Sequence, residues 1–183
     1  ARVLHDLAAT TGAGKVGLES GRTVQKKVSD VFNFFDSGAV GDGVADDTSA
    51  ITSGIVDASP NGFGNLGKGT FNVKGISVPS DFGISGYGKR ATTIKRIANS
   101  NGFNSVGTDG GITLSGFTLN MDKTDLGYDG HGVAFDGKAG TVKDAIISDF
   151  GSTSGGGGAG VVFYGSVGRK YNRLSDCDFI GNT

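Results

Sequence analysis

A repeat in the second half of the chain constrains the fold more than any other feature of the sequence. The segment GVAFDG at residues 132–137 recurs as GVVFYG at residues 160–165, an offset of 28. An apolar triplet recurs at offsets of 28 and then 32: Leu114, Phe117 and Leu119, then Val142, Ala145 and Ile147, then Leu174, Cys177 and Phe179. Repeats of this length are typical of solenoids. Because the unit contains strand-forming residues and no helical pattern, it predicts an all-β chain, a parallel β-helix whose coils stack about 4.8 Å apart.

The repeat also predicts which side chains form the core. Successive residues of a strand point to opposite faces, so the recurring apolar positions define the inner face. We expect six of them to point inward: Phe117, Leu119, Phe135, Ile147, Phe163 and Phe179. The extra residues of the longer offset fall near residues 169–172, where a turn can lengthen.

Composition agrees with many tight turns between short strands and excludes several classes of protein. Glycine provides 35 of 183 residues and proline only 2, against a usual glycine share of about 7%. The net charge is −1, from 17 basic and 18 acidic side chains that are interspersed. This pattern gives no footprint for nucleic acid and no polybasic membrane signal. No apolar run approaches the roughly 18 residues of a membrane span, and a single cysteine excludes an internal disulfide.

Residues 38–51, GAVGDGVADDTSAI, mark the start of the repetitive region. Asp46 or Asp47 opens a helical pattern, since a carboxylate oxygen can accept hydrogen bonds from the free N–H groups of a first turn. The apolar stripe of that helix consists of Ala50, Ile51, Ile55 and Ala58. Pro60 and the glycines after it end the pattern. The stretch therefore predicts a strand, a glycine turn and a helix near residues 47–58 that covers one end of the β-helix.

This stretch resembles the motif G-A-x-G-D-G-x-x-D-D-T-x-A-I of the pectate-lyase-like right-handed β-helix superfamily. The matching residues are Gly38, Ala39, Gly41, Asp42, Gly43, Asp46, Asp47, Thr48, Ala50 and Ile51. The resemblance implies a right-handed parallel β-helix with a short helix over its first coil, and it implies that the motif is structural. It does not distinguish lyases, hydrolases and non-catalytic fibres, which share the motif.

A metal loop is the alternative interpretation of the same acidic residues. Asp42, Asp46 and Asp47 place three carboxylates within six positions, and carboxylates are the ligands that Ca²⁺ prefers. The spacing is not that of an EF-hand, and a turn followed by a helix cap accounts for all three. We therefore expect neither a metal nor a cofactor.

Residues 1–30 form a separate leader that is too small to bury its own apolar side chains. These side chains are Val3, Leu4, Leu7, Leu18, Val24 and Val28. The simplest cover is the same segment from other copies of the chain, so we expect a homotrimer. The segments ATTGAGKVG (9–17) and GRTVQ (21–25) resemble the neck of bacteriophage tailspikes and tail-fibre depolymerases. That resemblance implies a virion protein that docks on a phage tail or baseplate adaptor.

Residues 31–183 are expected to be the start of the β-helix. A solenoid ends in an atypical capping repeat, whereas the strand pattern here continues into residues 177–183. We therefore expect the C-terminal part of the β-helix to lie beyond this sequence. In tailspikes the catalytic site usually lies further along the helix or between subunits, so the resemblance implies catalytic residues outside residues 1–183.

Four residues are candidates for contacts with a carbohydrate. Asp176 and Asp178 fall on one face of a regular strand, and paired carboxylates are the minimum for glycoside hydrolysis. Asp129 and His131 lie in a loop-like stretch rich in acidic residues. The alternatives are an ordinary solvated strand face for the first pair and an ordinary turn for the second. His131 has no visible partner from which to argue a catalytic triad.

Three hypotheses for function follow. The first is a phage tailspike, acting at the bacterial cell surface, that recognises and depolymerises an O-antigen or capsule. The second is a secreted polysaccharide lyase or hydrolase of the same superfamily, and the third is a structural fibre that binds without cleaving. The leader favours the first hypothesis. Whether the chain belongs to an enzyme stays open at this point.

Overall fold

The computed structural model describes residues 32–59, 62–106, 111–122, 130–136, 139–150, 158–164 and 171–180. Within these ranges the chain consists of short strands, one α-helix and one short 3-10 helix. The leader, residues 1–30, lies outside the described residues, and its role in a trimer stays a prediction.

The elements follow one another with short connections. The helical elements are the 3-10 helix Phe34–Ser37 and the α-helix α1, Thr48–Ala58. The strands are, in chain order, β1 (Phe32–Asn33), β2 (Asp42–Asp46), β3 (Phe63–Asn65), β4 (Gly69–Val73), β5 (Ile76–Pro79), β6 (Gly83–Ser85), β7 (Thr92–Arg96), β8 (Phe103–Val106), β9 (Gly111–Asn120), β10 (Val133–Phe135), β11 (Ala139–Ser148), β12 (Val161–Phe163) and β13 (Tyr171–Ile180).

The strands form two sheets. In the larger sheet the order is β1-β3-β6-β9-β7-β4-β2, with β11 pairing with β9 and β13 pairing with β11. The smaller sheet has the order β12-β10-β8-β5. Every pairing with a defined register is parallel. The chain therefore returns to each sheet in the same direction, which is consistent with a parallel β-helix-type fold.

The register of the long strands follows the sequence repeat. Three inner positions align across β9, β11 and β13: Leu114 with Val142 and Leu174, Phe117 with Ala145 and Cys177, and Leu119 with Ile147 and Phe179. In the smaller sheet Val133 pairs with Val161, and Phe135 pairs with Phe163. The alignment predicted from the offsets of 28 and 32 is confirmed.

The core contains most of the side chains that the sequence placed there. Phe117, Leu119, Phe135 and Ile147 are buried. Phe163 is only half-buried, although its ring stacks on Phe135 with centroids 5.0 Å apart.

Phe179 differs from that prediction because it is 44% exposed. It continues the inner row of Leu119 and Ile147, but no strand among the described residues pairs with the far edge of β13. The register was therefore predicted correctly and the burial was not.

A one-residue bend interrupts each of the three long strands at the same place. Gly116 in β9, Asp144 in β11 and Asp176 in β13 all have a positive φ, of 71°, 49° and 54°. The first half of β9 pairs with β6 and its second half pairs with β7, so the bend joins two ladders of short strands into one sheet. Glycine and aspartate tolerate this left-handed conformation better than most residues.

The helix near residues 47–58 is confirmed as α1. Ile51, Ile55 and Ala58 are buried, and α1 contacts the 3-10 helix, β3 and β5. The predicted stripe therefore packs on the start of the sheets, where each buried isoleucine stabilises by about 1.5–3 kcal/mol. Within the described ranges, no helix is long and apolar enough to cross a membrane.

The loop before α1 is fixed by two aspartates with different roles. Asp47 occupies the N-cap position without a side-chain hydrogen bond into α1, and Asp46 Oδ1 instead accepts a hydrogen bond from the N–H of Thr48, the first residue of the helix, at 3.0 Å. The carboxylate of Asp47 is buried and accepts hydrogen bonds from the N–H groups of Val40 at 2.6 Å and Gly41 at 3.3 Å. A buried carboxylate requires such donors, and here they close the glycine turn.

Candidate functional site

The turns that lead into the smaller sheet stack on one another and carry the candidate site. Phe103, Val133 and Val161 are in register, so the residues two positions earlier, Asn101 and His131, lie in adjacent coils. The N–H of Gly102 donates to the carbonyl of His131 at 2.9 Å. A Cβ on Gly102 would come within 2.7 Å of the Gly132 carbonyl oxygen. Glycine at this position therefore permits the close stacking that brings Asn101 and His131 together.

Asn101 links the two coils through its side chain. Its Oδ1 accepts a hydrogen bond from the N–H of His131 at 2.6 Å, and its Nδ2 donates to Asn104 Oδ1 at 2.6 Å. Both ends of the Asn101 amide are thereby occupied. The N–H groups of the Asn104 amide remain available as hydrogen-bond donors, since no acceptor among the described residues contacts them.

The imidazole of His131 is held in one orientation. Its Nδ1 accepts a hydrogen bond from the N–H of Ala159 at 3.1 Å. In the neutral ring the proton then resides on Nε2, which donates to no protein group within the described part of the chain. The ring of Tyr164 meets the imidazole edge-on, with centroids 5.9 Å apart and planes at 77°, and Tyr164 is itself exposed.

Arg96 hydrogen bonds to the chain that leads into this cluster. It is 2% exposed; its Nε donates to the carbonyl of Met121 at 2.7 Å and its Nη1 to the carbonyl of Ser100 at 3.0 Å. Burial lowers the pKa of the Arg96 guanidinium, and the nearby charge of Asp122 opposes that shift. A Cβ on Gly130 would overlap Arg96 and Ser100. Arg96 therefore holds Ser100, which directly precedes Asn101, and it leaves no room for a side chain at Gly130, which directly precedes His131.

Of the four residues predicted from the sequence, the three that the structure describes lie next to different sheets. Asp129 lies outside the described residues. His131 belongs to the cluster above, next to the smaller sheet, whereas Asp176 and Asp178 lie on β13 of the larger sheet.

Asp176 and Asp178 also do not share a regular strand face. The alternation of side chains between the two faces of β13 is interrupted at Asp176, which occupies the bend. The carboxylate of Asp178 lies 3.3 Å from Lys89 Nζ, and that of Asp144 lies 3.9 Å from the same nitrogen. The side chain of Asp178 is 62% exposed and forms a solvated ion pair with Lys89, and its contact with a carbohydrate stays a prediction.

The sequence patterns did not indicate four residues of this region: Asn101, Asn104, Tyr164 and Arg96. The signal for Asn101 was present, because NGF at residues 101–103 precedes β8 as HGV at 131–133 precedes β10 and AGV at 159–161 precedes β12. Extending the repeat one coil towards the N-terminus would have aligned Asn101 with His131.

The cluster offers an amide, an imidazole N–H, a phenol and the faces of two rings. These groups bind hydroxyl and carboxylate oxygens and shield the apolar face of a ring. Within the described ranges no carboxylate hydrogen bonds to His131, and no group of three or more His, Cys, Asp or Glu side chains converges to hold a metal ion. The described geometry thus brings hydrogen-bond donors and two rings together, with the imidazole N–H as one of the donors.

No protein-family model matches the sequence. Among solved structures, the chain is similar to two Azotobacter vinelandii proteins, the A-modules of the mannuronan C-5 epimerases AlgE4 and AlgE6. The TM-scores are 0.61 and 0.64 at 18% and 19% identity, over 82% and 80% of this chain and 50% and 43% of those chains. ORF18 of Geobacillus virus E2 has a TM-score of 0.61 at 20% identity, over 87% of this chain and 40% of that one.

These likenesses show a shared fold. The chain spans half or less of the length of each of these structures. The activity of the whole protein is therefore a matter for proposal.

Proposed function

We propose that this chain belongs to a phage tailspike that recognises and depolymerises a bacterial surface polysaccharide, an O-antigen or a capsule. The observation that carries the proposal is the cluster of Asn101, Asn104, His131 and Tyr164, in which hydroxyl-binding groups lie beside the exposed ring of Tyr164. It lies on a fold shared with two modules named as mannuronan C-5 epimerases and with a protein of a Geobacillus virus.

The cluster suits a chain of sugars because its members come from three successive parallel strands. Asn101 and His131 hold the same register position ahead of β8 and β10, and Tyr164 follows β12. The ring centroids of Tyr164 and His131 lie 5.9 Å apart, so a polysaccharide that crosses the strands here would contact both rings.

The remaining parts of the proposal follow from the sequence. The β-helix is right-handed and continues as a solenoid, residues 1–30 hold three copies together, and the trimer docks on a tail or baseplate adaptor of the virion. A secreted lyase or hydrolase, and a fibre that binds without cleaving, are the alternatives. The same fold in modules named as epimerases adds modification without cleavage as a fourth outcome.

A panel of purified O-antigens and capsules, incubated with the full-length protein, separates these outcomes. New reducing ends alone indicate a hydrolase, and reducing ends together with ultraviolet absorbance of an unsaturated sugar indicate a lyase. A changed sugar composition without cleavage indicates an epimerase, and binding without change indicates an adhesin. If no polysaccharide binds, the proposal is wrong.

Two variants locate the contact. Tyr164→Ala should weaken binding of the retained polysaccharide by about tenfold, because it removes an aromatic contact. Tyr87→Ala, which removes an exposed aromatic ring elsewhere, should leave binding unchanged. Equal effects of the two changes would place the polysaccharide outside the cluster.

A further inference from the structure

A cavity on the larger sheet is separate from the residues of the histidine cluster. Its volume is about 390 Å³, and its lining residues are Gly62, Phe63, Asp81, Phe82, Gly83, Gly111 and Thr113. Phe63 pairs with Gly83, and Gly83 pairs with Thr113, across β3, β6 and β9. One row of three successive coils therefore forms its wall, and that row faces away from the core, where the neighbouring Ile84 is buried.

Phe63 gives the cavity an apolar surface. A Cβ on Gly83 would come within 2.8 Å of the Phe63 ring, so the ring lies over the glycine rather than extending into solvent. It nevertheless stays 37% exposed. A partly exposed aromatic ring beside a cavity can pack against the apolar face of another ring.

Two polar side chains lie on the same cavity. Asp81 is exposed, its carboxylate forms no hydrogen bond or ion pair with a side chain of the described residues, and Thr113 lines the same cavity. A carboxylate accepts hydrogen bonds from two neighbouring hydroxyls, and a threonine hydroxyl can both donate and accept. An apolar ring flanked by such groups matches a pyranose, which has apolar ring faces and a rim of hydroxyls.

We propose that this cavity binds one or two pyranose rings of a neutral or amino sugar. A volume of about 390 Å³ lies at the lower end of the roughly 300–1,000 Å³ of ligand sites, which suits a short segment. The charge of Asp81 selects among sugars, because it repels a uronate and attracts a protonated amino group. The site is independent of the contact proposed at His131.

A matched panel tests the charge selectivity. Glucose, galactose and mannose are each compared as the methyl glycoside, the 2-amino sugar and the uronate, with binding measured by saturation-transfer NMR and calorimetry. We expect saturable binding of at least one neutral or amino sugar, about fivefold tighter than its uronate at low salt. The difference should shrink in high salt. No binding by any of the nine sugars, or equal binding of the uronates, would overturn the proposal.

Two variants assign the binding to this cavity. Asp81→Asn should abolish the discrimination against uronates, and it should leave the fold intact because asparagine accepts the positive φ of 59° at this position. Phe63→Leu should lower the affinity for every sugar that binds by about tenfold, whereas Tyr87→Leu should leave each affinity unchanged. Unchanged selectivity in Asp81→Asn would exclude the cavity even if Phe63→Leu failed to fold.

The two proposals fail separately. His131→Gln should leave the binding of short sugars unchanged, since His131 does not line this cavity. A parent protein that binds short sugars but no polysaccharide would overturn the proposed function alone, whereas loss of polysaccharide binding only in His131→Gln would support it. Loss of short-sugar binding in His131→Gln would overturn the assignment to the cavity.

Discussion

The aspartates ahead of α1 are directed to separate partners although they lie within six positions. Asp42 Oδ1 accepts hydrogen bonds from the N–H groups of Val44 and Ala45, both at 2.8 Å, and these bonds, that of Ala45 first, lower the pKa of Asp42. Asp46 binds the start of α1, and Asp47 binds the preceding loop. Turn and cap chemistry therefore engages each of the carboxylates that the metal-loop alternative required.

Asp46 makes the stability of the fold depend on pH. The Lys74 side chain, at 2.8 Å, and then the hydroxyl and N–H of Thr48 lower its pKa from 3.8 to about 2. Since the pKa is lowered in the folded chain, the stabilisation is complete above pH 3.8 and is lost as the pH falls towards about 2. Both side chains are partly exposed, so the solvent-screened contribution is only about 0.5–1 kcal/mol. Asp46→Asn should lower the free energy of unfolding by that amount at pH 7.

A double-mutant cycle with Lys74→Met separates the ion pair from the helix cap. Urea denaturation at neutral pH should give a coupling free energy of about 0.5 kcal/mol between the two substitutions. Below the folded-state pKa the coupling should disappear, because Asp46 is then protonated. A coupling that persists in acid would mean that the two side chains interact by something other than charge.

At the scale of elements, positions that require an apolar side chain could be predicted from the sequence. Positions that depend on backbone conformation or on hydrogen bonds to the backbone could not. The register of β9, β11 and β13 followed from the inner row, because only apolar residues are stable there. The bend at Asp144 and Asp176 could not be predicted, since aspartate occurs both on a solvated strand face and at positive φ. Arg96 was not predicted because it donates to backbone carbonyl groups. Every residue has such a group, so the pattern of side chains does not identify these acceptors.

The cover that α1 provides should contribute measurably to stability. Ile51 is 1% exposed, and truncating it leaves a cavity, so Ile51→Ala should lower the free energy of unfolding by about 2–5 kcal/mol. Val56 lies on the opposite, exposed face of the same helix, and Val56→Ala should change stability by no more than about 0.5 kcal/mol. Similar losses for both variants in chemical denaturation would contradict the packing of α1 on the first coil.

At the scale of the whole molecule, the proposals concern two surfaces for sugar contacts and one segment for assembly. The histidine cluster belongs to the smaller sheet and the Phe63 cavity to the larger one, so a long polysaccharide and a short sugar would bind independently. A receptor-binding protein gains avidity when such sites are repeated on several copies, because the second contact becomes intramolecular. The proposed trimer would therefore strengthen attachment without any additional contact in one chain.

The trimer itself rests on residues 1–30, which lie outside the described residues. Their apolar side chains, among them Val24 and Val28, would each gain about 1.5–3 kcal/mol from burial, and the buried stripe of α1 is already occupied by its own sheets. Light scattering on the full-length protein at micromolar concentration should give the mass of three chains. Replacing Val24 and Val28 with Asp should yield monomers, whereas replacing the exposed Val44 and Val56 with Asp should leave the trimer intact. A monomeric parent protein, or a trimer that survives the first pair of changes, would contradict assembly through the leader.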